Sequence, residues 1–554
     1  MKKVRVGLLI DSFVVEFWVY SMIEIIKSSD FAEIVLIVKK REIISQRSYF
    51  TRLHKNVNSL FYRVYRKVEN AISKPNPNAF ERRDFLPLVG TVDVLEVECL
   101  EESDVDYISE VDINGINRYN IDVFIKLGFG KLRGDVLKIA KCGIWSYYHE
   151  DNLIKRGGPP GFWEVFLRKR EIGSNLQMLT DDIDGREVLY RSWSTLHRFL
   201  NESLNGYYWK TSLFIPRKLK ELYEIGEEEF LKKVKVENAH LEFYSSKLYK
   251  VPSNFKFLQL FASYTWDWAK LRIWKLFNFQ QWILLYSLNN NKSISTSIFN
   301  YKRIVPPKDR FWADPCVIFE NGTYYIFLEE LFFKGSGKGH ISVIIMNENG
   351  EYSAPKIILK KPYHLAYPFV FEYSGKYYLI PESCENSTIQ LYHSTGFPYE
   401  WEFQMNLMEN VKAVDTTIVI KDNKFWLFTS LKEISGVPYG EELFLFSSDN
   451  LFSKNWVSHP CNPVVTDVKS ARPAGRIFYH NEKLYRPSQD CSYSYGYSIV
   501  INEILVLNEK EYKEIKVSDI YPNWANDVEA THTFSFNNKL TVIDAGIKRR
   551  RRLL

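Results

Sequence analysis

Two patterns of apolar and polar positions divide this chain. In the first third, short apolar runs alternate with segments whose apolar residues recur every three or four positions. VRVGLLI reads as a buried strand, FWVYSMIEIIKSS as a helix and AEIVLIVKK as a second strand. VDVLEVECL, IDVFIKLGF and GIWSYY are further strands, with RGDVLKIAKC a short helix before the last. This alternation predicts an α/β domain with a mostly parallel sheet and helices on its faces. Residues 45–90 are a basic, aromatic helical stretch that ends at the breaker SKPNPN.

Residues 206–275 change character. IPRKLKELYEIGEEEFLKKVK is helical and charged, whereas LQLFASYTWDWAKLRIWKLFNF is apolar and basic. The second segment has two readings: an amphipathic helix lying on a membrane surface, or a helix packed between two domains.

From about residue 280 the pattern turns to paired strands and repeats itself. DPCVIFENGTYYIFLEE at 314, YPFVFEYSGKYYLIPES at 367 and DTTIVIKDNKFWLFTS at 415 share one plan. RPAGRIFYHNEKLYRPSQD at 472 and THTFSFNNKLTVIDAG at 531 follow it too. Each has a polar opening, an apolar strand, a turn and a second apolar or aromatic strand. Starts 53, 48, 57 and 59 residues apart predict an all-β propeller of five blades. The expected organisation is an α/β domain over 1–205, a helical connector over 206–275 and the propeller over 276–554.

In a propeller the innermost strands line a channel, and equivalent positions converge on it. The openings supply Asp314, Asp415, Arg472 and His532, with His364 and Tyr367 beside them; the second strands add Glu329, Glu330, Glu382, Gln489, Asp490 and Asp544. Arg486 joins the expected channel set, because Arg472, Arg476 and Arg486 in one blade call for anionic partners. Such a ring is polar enough to hold a sugar or a phosphate. The competing reading makes these residues turn and cap positions repeated because the blade is repeated.

Composition adds exclusions. A formal net charge of +6 over 554 residues is mild and gives no reason to expect nucleic acid as a partner. Aromatics at 16% suit aromatic-rich strands and sugar-stacking surfaces. The six cysteines lie far apart with no CxxC, so neither a metal site nor a disulfide framework is expected, and a reducing compartment is the default. Asp11 and Glu16 interrupt the apolar start, which argues against a signal peptide and for a cytoplasmic protein. The basic run KRRRR at 548–552 reads as a solvated tail or a contact for anionic headgroups or nucleic acid, and GSGKGH at 335–340 as a blade turn without P-loop spacing.

Three collinear pieces then matter: DVFIKLGFGKLRGDVLKIAKCGIWSYYHEDN, RGGPPGFW and IGSNLQMLTDDIDGREVL. Over roughly 1–205 their order resembles the fold of methionyl-tRNA and glycinamide-ribonucleotide formyltransferases. That resemblance implies a Rossmann-like domain, 10-formyltetrahydrofolate as cofactor, and transfer of a formyl group to an amine by an Asn-x-His pair with a downstream Asp. The Asp is matched by Asp184. The Asn-x-His is replaced: aligning on Arg156-Gly157 puts Ser146 and Tyr148 there, with His149 one residue on, and aligning on the preceding Gly-Ile puts Trp145 and Tyr147 there. The implied cofactor loop is Leu127, Gly128, Phe129 and Gly130, with Arg156 and Gly157 in the following turn.

The segments FWADPCVIF, HLAYPFVFEYSGKYYLIPES and the Arg-Pro pairs of 472–490 resemble the propeller of plant glucosamine inositolphosphorylceramide transferases and, more distantly, five-bladed glycosidases. The likeness implies that Asp314, Glu382 and Asp415 surround a glycosidic bond, here in chain order Asp, Glu, Asp. Together the resemblances imply a carbohydrate-modifying protein. The leading expectation is formyl transfer to an amino sugar in surface-glycan biosynthesis. The alternatives are glycosyl hydrolysis or transfer by the propeller, and glycan binding without turnover.

Overall fold

The structure is a computed structural model that describes residues 2–41, 57–102, 105–151, 157–181, 187–240, 242–243, 247–289 and 293–551. The chain forms two compact units, Met1–Tyr264 with Ser435–Val437, and Thr265–Ile434 with Pro438–Leu554.

The N-terminal unit is built on a seven-stranded sheet. Its spatial order is Glu187–Thr195, Glu171–Met178, Ile144–Tyr148, Val123–Lys126, Val4–Ile10, Ala32–Lys40 and Asp93–Val97. The last five run parallel and the first two complete an antiparallel edge. Helix Phe17–Ser28 crosses between the first two parallel strands and buries Trp18, Val19, Met22, Ile23 and Ile26, a stripe at helical spacing. Helices Leu200–Thr211, Phe214–Ile225 and Glu227–Glu237 belong to this same unit. Leu200, Leu204 and Tyr207 share a core with Phe162, Phe166 and Ile172. The stretch expected as a connector over 206–275 holds several helices, and its residues up to Tyr264 group with the N-terminal unit, where Tyr207, Phe214, Leu219, Phe230 and Phe257 are buried.

The second unit is a five-bladed propeller. Blade 1 comprises Arg310–Glu320, Thr323–Phe332, His340–Asn347 and Lys356–Leu359; blade 2 Ala366–Tyr373, Lys376–Glu382, Thr388–Gly396 and Glu400–Glu409; blade 3 Ala413–Lys421, Lys424–Leu431, Leu443–Ser448 and Val457–Ser458. In blade 4, Arg472–Pro473 and Phe478–His480 both pair with Lys483–Asp490, which is followed by Ser498–Leu507 and Tyr512–Ile520. Blade 5 closes the ring: Leu540–Arg550 pairs over its whole length with Asn278–Leu288 from the start of the unit.

Strand alternation explains how the blades hold together. Along Arg310–Glu320, Val317 joins a core with Leu284 and Val542 of blade 5, while its neighbours Cys316 and Ile318 join one with Val370 and Leu379 of blade 2. The same two-faced pattern gives one apolar core at each of the five blade junctions. Truncating a fully buried member such as Leu427 would leave a cavity costing about 2–5 kcal/mol.

The inner strands of blades 1 to 3 break register at one equivalent place, between Ala313 and Cys316, Ala366 and Phe369, and Val414 and Thr417. There Asp314, Tyr367 and Asp415 adopt left-handed φ values of 52°, 41° and 54°. Such backbone costs about 1–3 kcal/mol for a non-glycine residue and clusters where function needs a side chain re-aimed.

Candidate active site at the propeller centre

The bulged positions bring two charged groups together. In the first, Asp544 of the closing strand accepts the backbone N–H groups of Asp314, His532 and Thr533 at 3.1, 2.9 and 3.0 Å. His532 lies between two carboxylates, with Nδ1 2.6 Å from Asp544 Oδ2 and Nε2 3.5 Å from Asp314 Oδ1. The Thr533 hydroxyl donates to Asp314 at 2.8 Å. Burial opposes charge on His532, but Asp544 and Asp314 outweigh it and raise the imidazole above its ordinary value. Trp282 stacks on this ring at 4.2 Å, a contact suited to a cation. Burial pushes Asp314 up to about 6, against the pull of His532 and helped by Asp415 and Asp544.

The second group spans three blades. Arg472 Nε donates to Asp415 Oδ2 at 2.5 Å, and Gln489 Nε2 donates to the same oxygen at 3.1 Å. Glu382 hydrogen-bonds Asp415 and lies 3.9 Å from Arg472 Nη2. Burial, then Asp415, pushes Glu382 well above the carboxylate range, more than Arg472 lowers it. Glu382 therefore holds a proton more firmly than an ordinary carboxyl. Glu329 is raised by burial and then by the other four carboxylates, and it lies 3.3 Å from His364 Nε2. Two carboxyls with a raised hold on their protons, beside the Arg472-paired Asp415, form an arrangement suited to general acid–base chemistry.

Exposure grades across the centre. The Asp544 side chain is fully buried, Glu382 is 13% exposed and His364 34%. The accessible side is thus that of Glu382, Arg472 and His364. Half-exposed Tyr495 places its ring 4.8 Å from the Arg472 guanidinium and edge-on to His532 at 5.4 Å, touching both groups. Tyr439, also exposed, hydrogen-bonds Cys384 two residues from Glu382. Flat aromatic faces beside hydrogen-bonding carboxyls are what a sugar ring binds.

Asp314, Glu329, Glu382, Asp415, Arg472 and His532 thus converge, with Asp544 and Gln489. Arg486 does not: it forms a bidentate pair with Glu514 of the outer strand at 2.6 and 2.8 Å. It points to the opposite side of its strand from Gln489 and lies further from the axis. Arg476 donates to the Val370 carbonyl of blade 2 and braces two blades. Trp282, Tyr439 and Tyr495 were not singled out from sequence, since Trp282 precedes the first repeat and the tyrosines sit in connections between strands.

Asp314, His532 and Asp544 also present ligand atoms within 4.8 Å of one another, a set that could hold a divalent cation if His532 gave up its proton. No metal site was expected from spacing, and these ligands come from three distant segments.

In the N-terminal unit, Ser146 lies on strand Ile144–Tyr148, opposite Lys126 and Gln177. Tyr148, on the same strand, pairs with Asn175 of the neighbouring strand Glu171–Met178. His149 sits in an aromatic cage, stacked on Tyr208 at 4.2 Å and edge-on to Trp18 at 5.3 Å, and burial lowers it to about 3. It is a neutral imidazole with little basicity. Asp184 and Arg156 lie outside the described residues. The expected cofactor loop spends its own donors: Leu127 and Gly128 donate to the Leu9 carbonyl, Phe129 to Asp11 Oδ1 and Gly130 to Asp106 Oδ2. A ligand here would meet carbonyl oxygens rather than these N–H groups. Gly157 has φ +72° and donates to Glu150.

The family described as glucosamine inositolphosphorylceramide transferase 1, N-terminal, matches residues 296–531. The transferase 1 of that name from Oryza sativa subsp. japonica is 33% identical over 211 residues, and that from Arabidopsis thaliana 33% over 210. These alignments take in 38% and 37% of this chain, and 28% and 27% of the relatives. Among solved structures, the family 117 glycoside hydrolase Zg3597 of Zobellia galactanivorans is 13% identical, with a TM-score of 0.33 over 48% of this chain and 90% of that one. An α-L-arabinanase of Cellvibrio cellulosa is 10% identical, with a TM-score of 0.29 over 37% and 77%. The family match takes in Asp314, Glu329, Glu382, Asp415 and Arg472, and the chain spans little more than a quarter of those relatives.

Proposed function

We propose that this protein acts on carbohydrate as a transferase, with the propeller centre as the place where a sugar is held and its glycosidic bond made or broken. The observation that carries this reading is the Glu382–Asp415 pair, an acid with a raised hold on its proton against a side chain fixed by Arg472, beneath exposed tyrosines. Glu382 would protonate the leaving oxygen, and Asp314, poised at about 6, would take the proton of the incoming hydroxyl. The relatives' name suggests the specific form, transfer of an amino sugar to an inositol-phosphoryl lipid acceptor. The test incubates the full chain with activated amino-sugar donors and such acceptors, wild type against Glu382→Gln. Product from wild type and a large loss in the variant support the proposal; no product with any donor, or equal product from both, refutes it.

A second reading is sugar recognition without turnover. It is favoured by the share of the relatives matched, 28%, which leaves most of their length unmatched, and by Asp415 being fully engaged by Arg472 and Gln489. Binding unchanged in Glu382→Gln, with no turnover in either protein, would decide for it.

Formyl transfer from 10-formyltetrahydrofolate to an amino sugar is the finer proposal for the N-terminal unit. Its support is the order of motifs between Leu127 and Asp184, and a weakly basic His149 does not add to it. Calorimetric titration of the full chain with a stable cofactor analogue tests it, and absence of binding ends it.

A further inference from the structure

The second half of helix Asn254–Phe277 carries an unusual surface. Its first half buries Phe257 and Leu260, yet Trp266, Ile273, Leu276 and Phe277 are each at least half exposed. Trp266, Ile273 and Phe277 fall at i, i+7 and i+11, which puts them on one stripe. Cations interleave with them: Lys270 lies over the Trp266 ring at 5.5 Å and the Arg272 guanidinium over Trp268 at 5.1 Å. Arg272 and Lys275 form no ion pair among the described residues.

The basic C-terminal run is fastened beside this helix. Arg550 pairs opposite Asn278, and the Arg551 backbone N–H donates to the Phe277 carbonyl at 2.8 Å. A groove of about 880 Å³ beside the helix is lined by Lys270, Trp274, Lys275, Lys548 and Arg551, and by Glu529, which pairs with Lys548 at 3.1 Å. Among the described residues, no helix is long and apolar enough to cross a membrane.

We propose that this face docks on an anionic lipid surface, with Trp266, Ile273, Leu276 and Phe277 entering the interfacial layer and Arg272, Lys275 and Arg551 meeting the headgroups. Charge complementarity selects the occupant. Exposed tryptophan and aliphatic side chains flanked by Arg272 and Lys275, which form no ion pair among the described residues, suit anionic headgroups over acyl chains, whereas an ordinary protein interface is depleted in lysine. The inference is independent of the sugar reading.

The experiment is co-sedimentation of the full chain with phosphatidylcholine vesicles, with and without phosphatidylserine, read together with tryptophan fluorescence. Binding to the serine-containing vesicles at least about tenfold tighter, with a blue shift, is expected. Arg272→Glu/Lys275→Glu should lose that preference, and Ile273→Asp the blue shift, with unchanged far-ultraviolet circular dichroism and melting. No binding, equal binding to both vesicles, or variants indistinguishable from wild type would overturn the proposal. So would light scattering showing a dimer that Ile273→Asp dissolves, because the face would then be covered by a second copy.

Discussion

Glu382 and Asp415 come from different blades, one ending the second strand of blade 2 and the other in the inner bulge of blade 3, yet they share a hydrogen bond. Arg472 of blade 4 lies 2.5 Å from Asp415 and 3.9 Å from Glu382. Burial, and after it the nearby Asp415, raise the hold of Glu382 on its proton, against the pull of Arg472.

The pair predicts opposite outcomes for two isosteric changes. Glu382→Gln keeps a donor toward Asp415, so the fold should hold while turnover falls about 10²–10⁴-fold. Asp415→Asn leaves the Arg472 guanidinium without its close carboxylate and should cost about 3–5 kcal/mol. Thermal unfolding and product assays on the two variants check both.

A second prediction concerns pH. Asp314 ordinarily titrates at 3.8 and here at about 6, so in that window the folded protein holds a proton the unfolded chain has lost. Stability therefore falls as pH rises from 3.8 to about 6. His532, raised from 6.5, contributes stability that is whole below 6.5 and lost as pH climbs through its folded value. Urea midpoints across this range should show the lower decline in wild type and not in Asp314→Asn. Parallel curves would contradict the assignment.

Arg486 should matter for stability alone. Its pairing with Glu514 is buried, so Arg486→Ala is expected to destabilise the propeller by about 3–5 kcal/mol. The fraction that remains folded should bind sugar as wild type does, by calorimetry on the folded protein.

Gly496 supports His532 from beneath. It has φ +60°, and a Cβ added there would lie 2.8 Å from the His532 Cβ. Gly496→Ala should cost about 1 kcal/mol or more. It should also displace the imidazole from between its carboxylates, visible as a shifted His532 titration by NMR.

The propeller was legible because each blade repeats one physical plan. An inner strand, bulged in blades 1 to 3, leads through a tight turn to a second strand, and both faces are apolar because each packs on a neighbouring blade. The repeated openings at Asp314, Tyr367 and Asp415 mark the places where the backbone turns left-handed. Closure of the ring was not legible. Asn278–Leu288 lacks the strand–turn–strand plan of the repeats and pairs with a strand more than 250 residues later, so it shares little with them but its place in blade 5. Arg486 was misread for a geometric reason. It is three residues from Gln489, hence on the other face and about 10 Å further along the strand. In the N-terminal unit the alternation of strands and helices was plain, but motif order carried no information on hydrogen bonding. The Leu127–Gly130 loop looks open in sequence, whereas its N–H groups are taken by Leu9, Asp11 and Asp106.

The central claim is that a sugar binds at the mouth of the propeller, and glycan-array binding by the full chain tests it most directly. Wild type should be compared with Tyr439→Ala/Tyr495→Ala, two exposed positions whose loss leaves the blades intact. The account predicts a defined set of glycans held by wild type and lost by the double variant. A wild-type protein that holds no glycan, or a variant that holds the same set equally well, would contradict it.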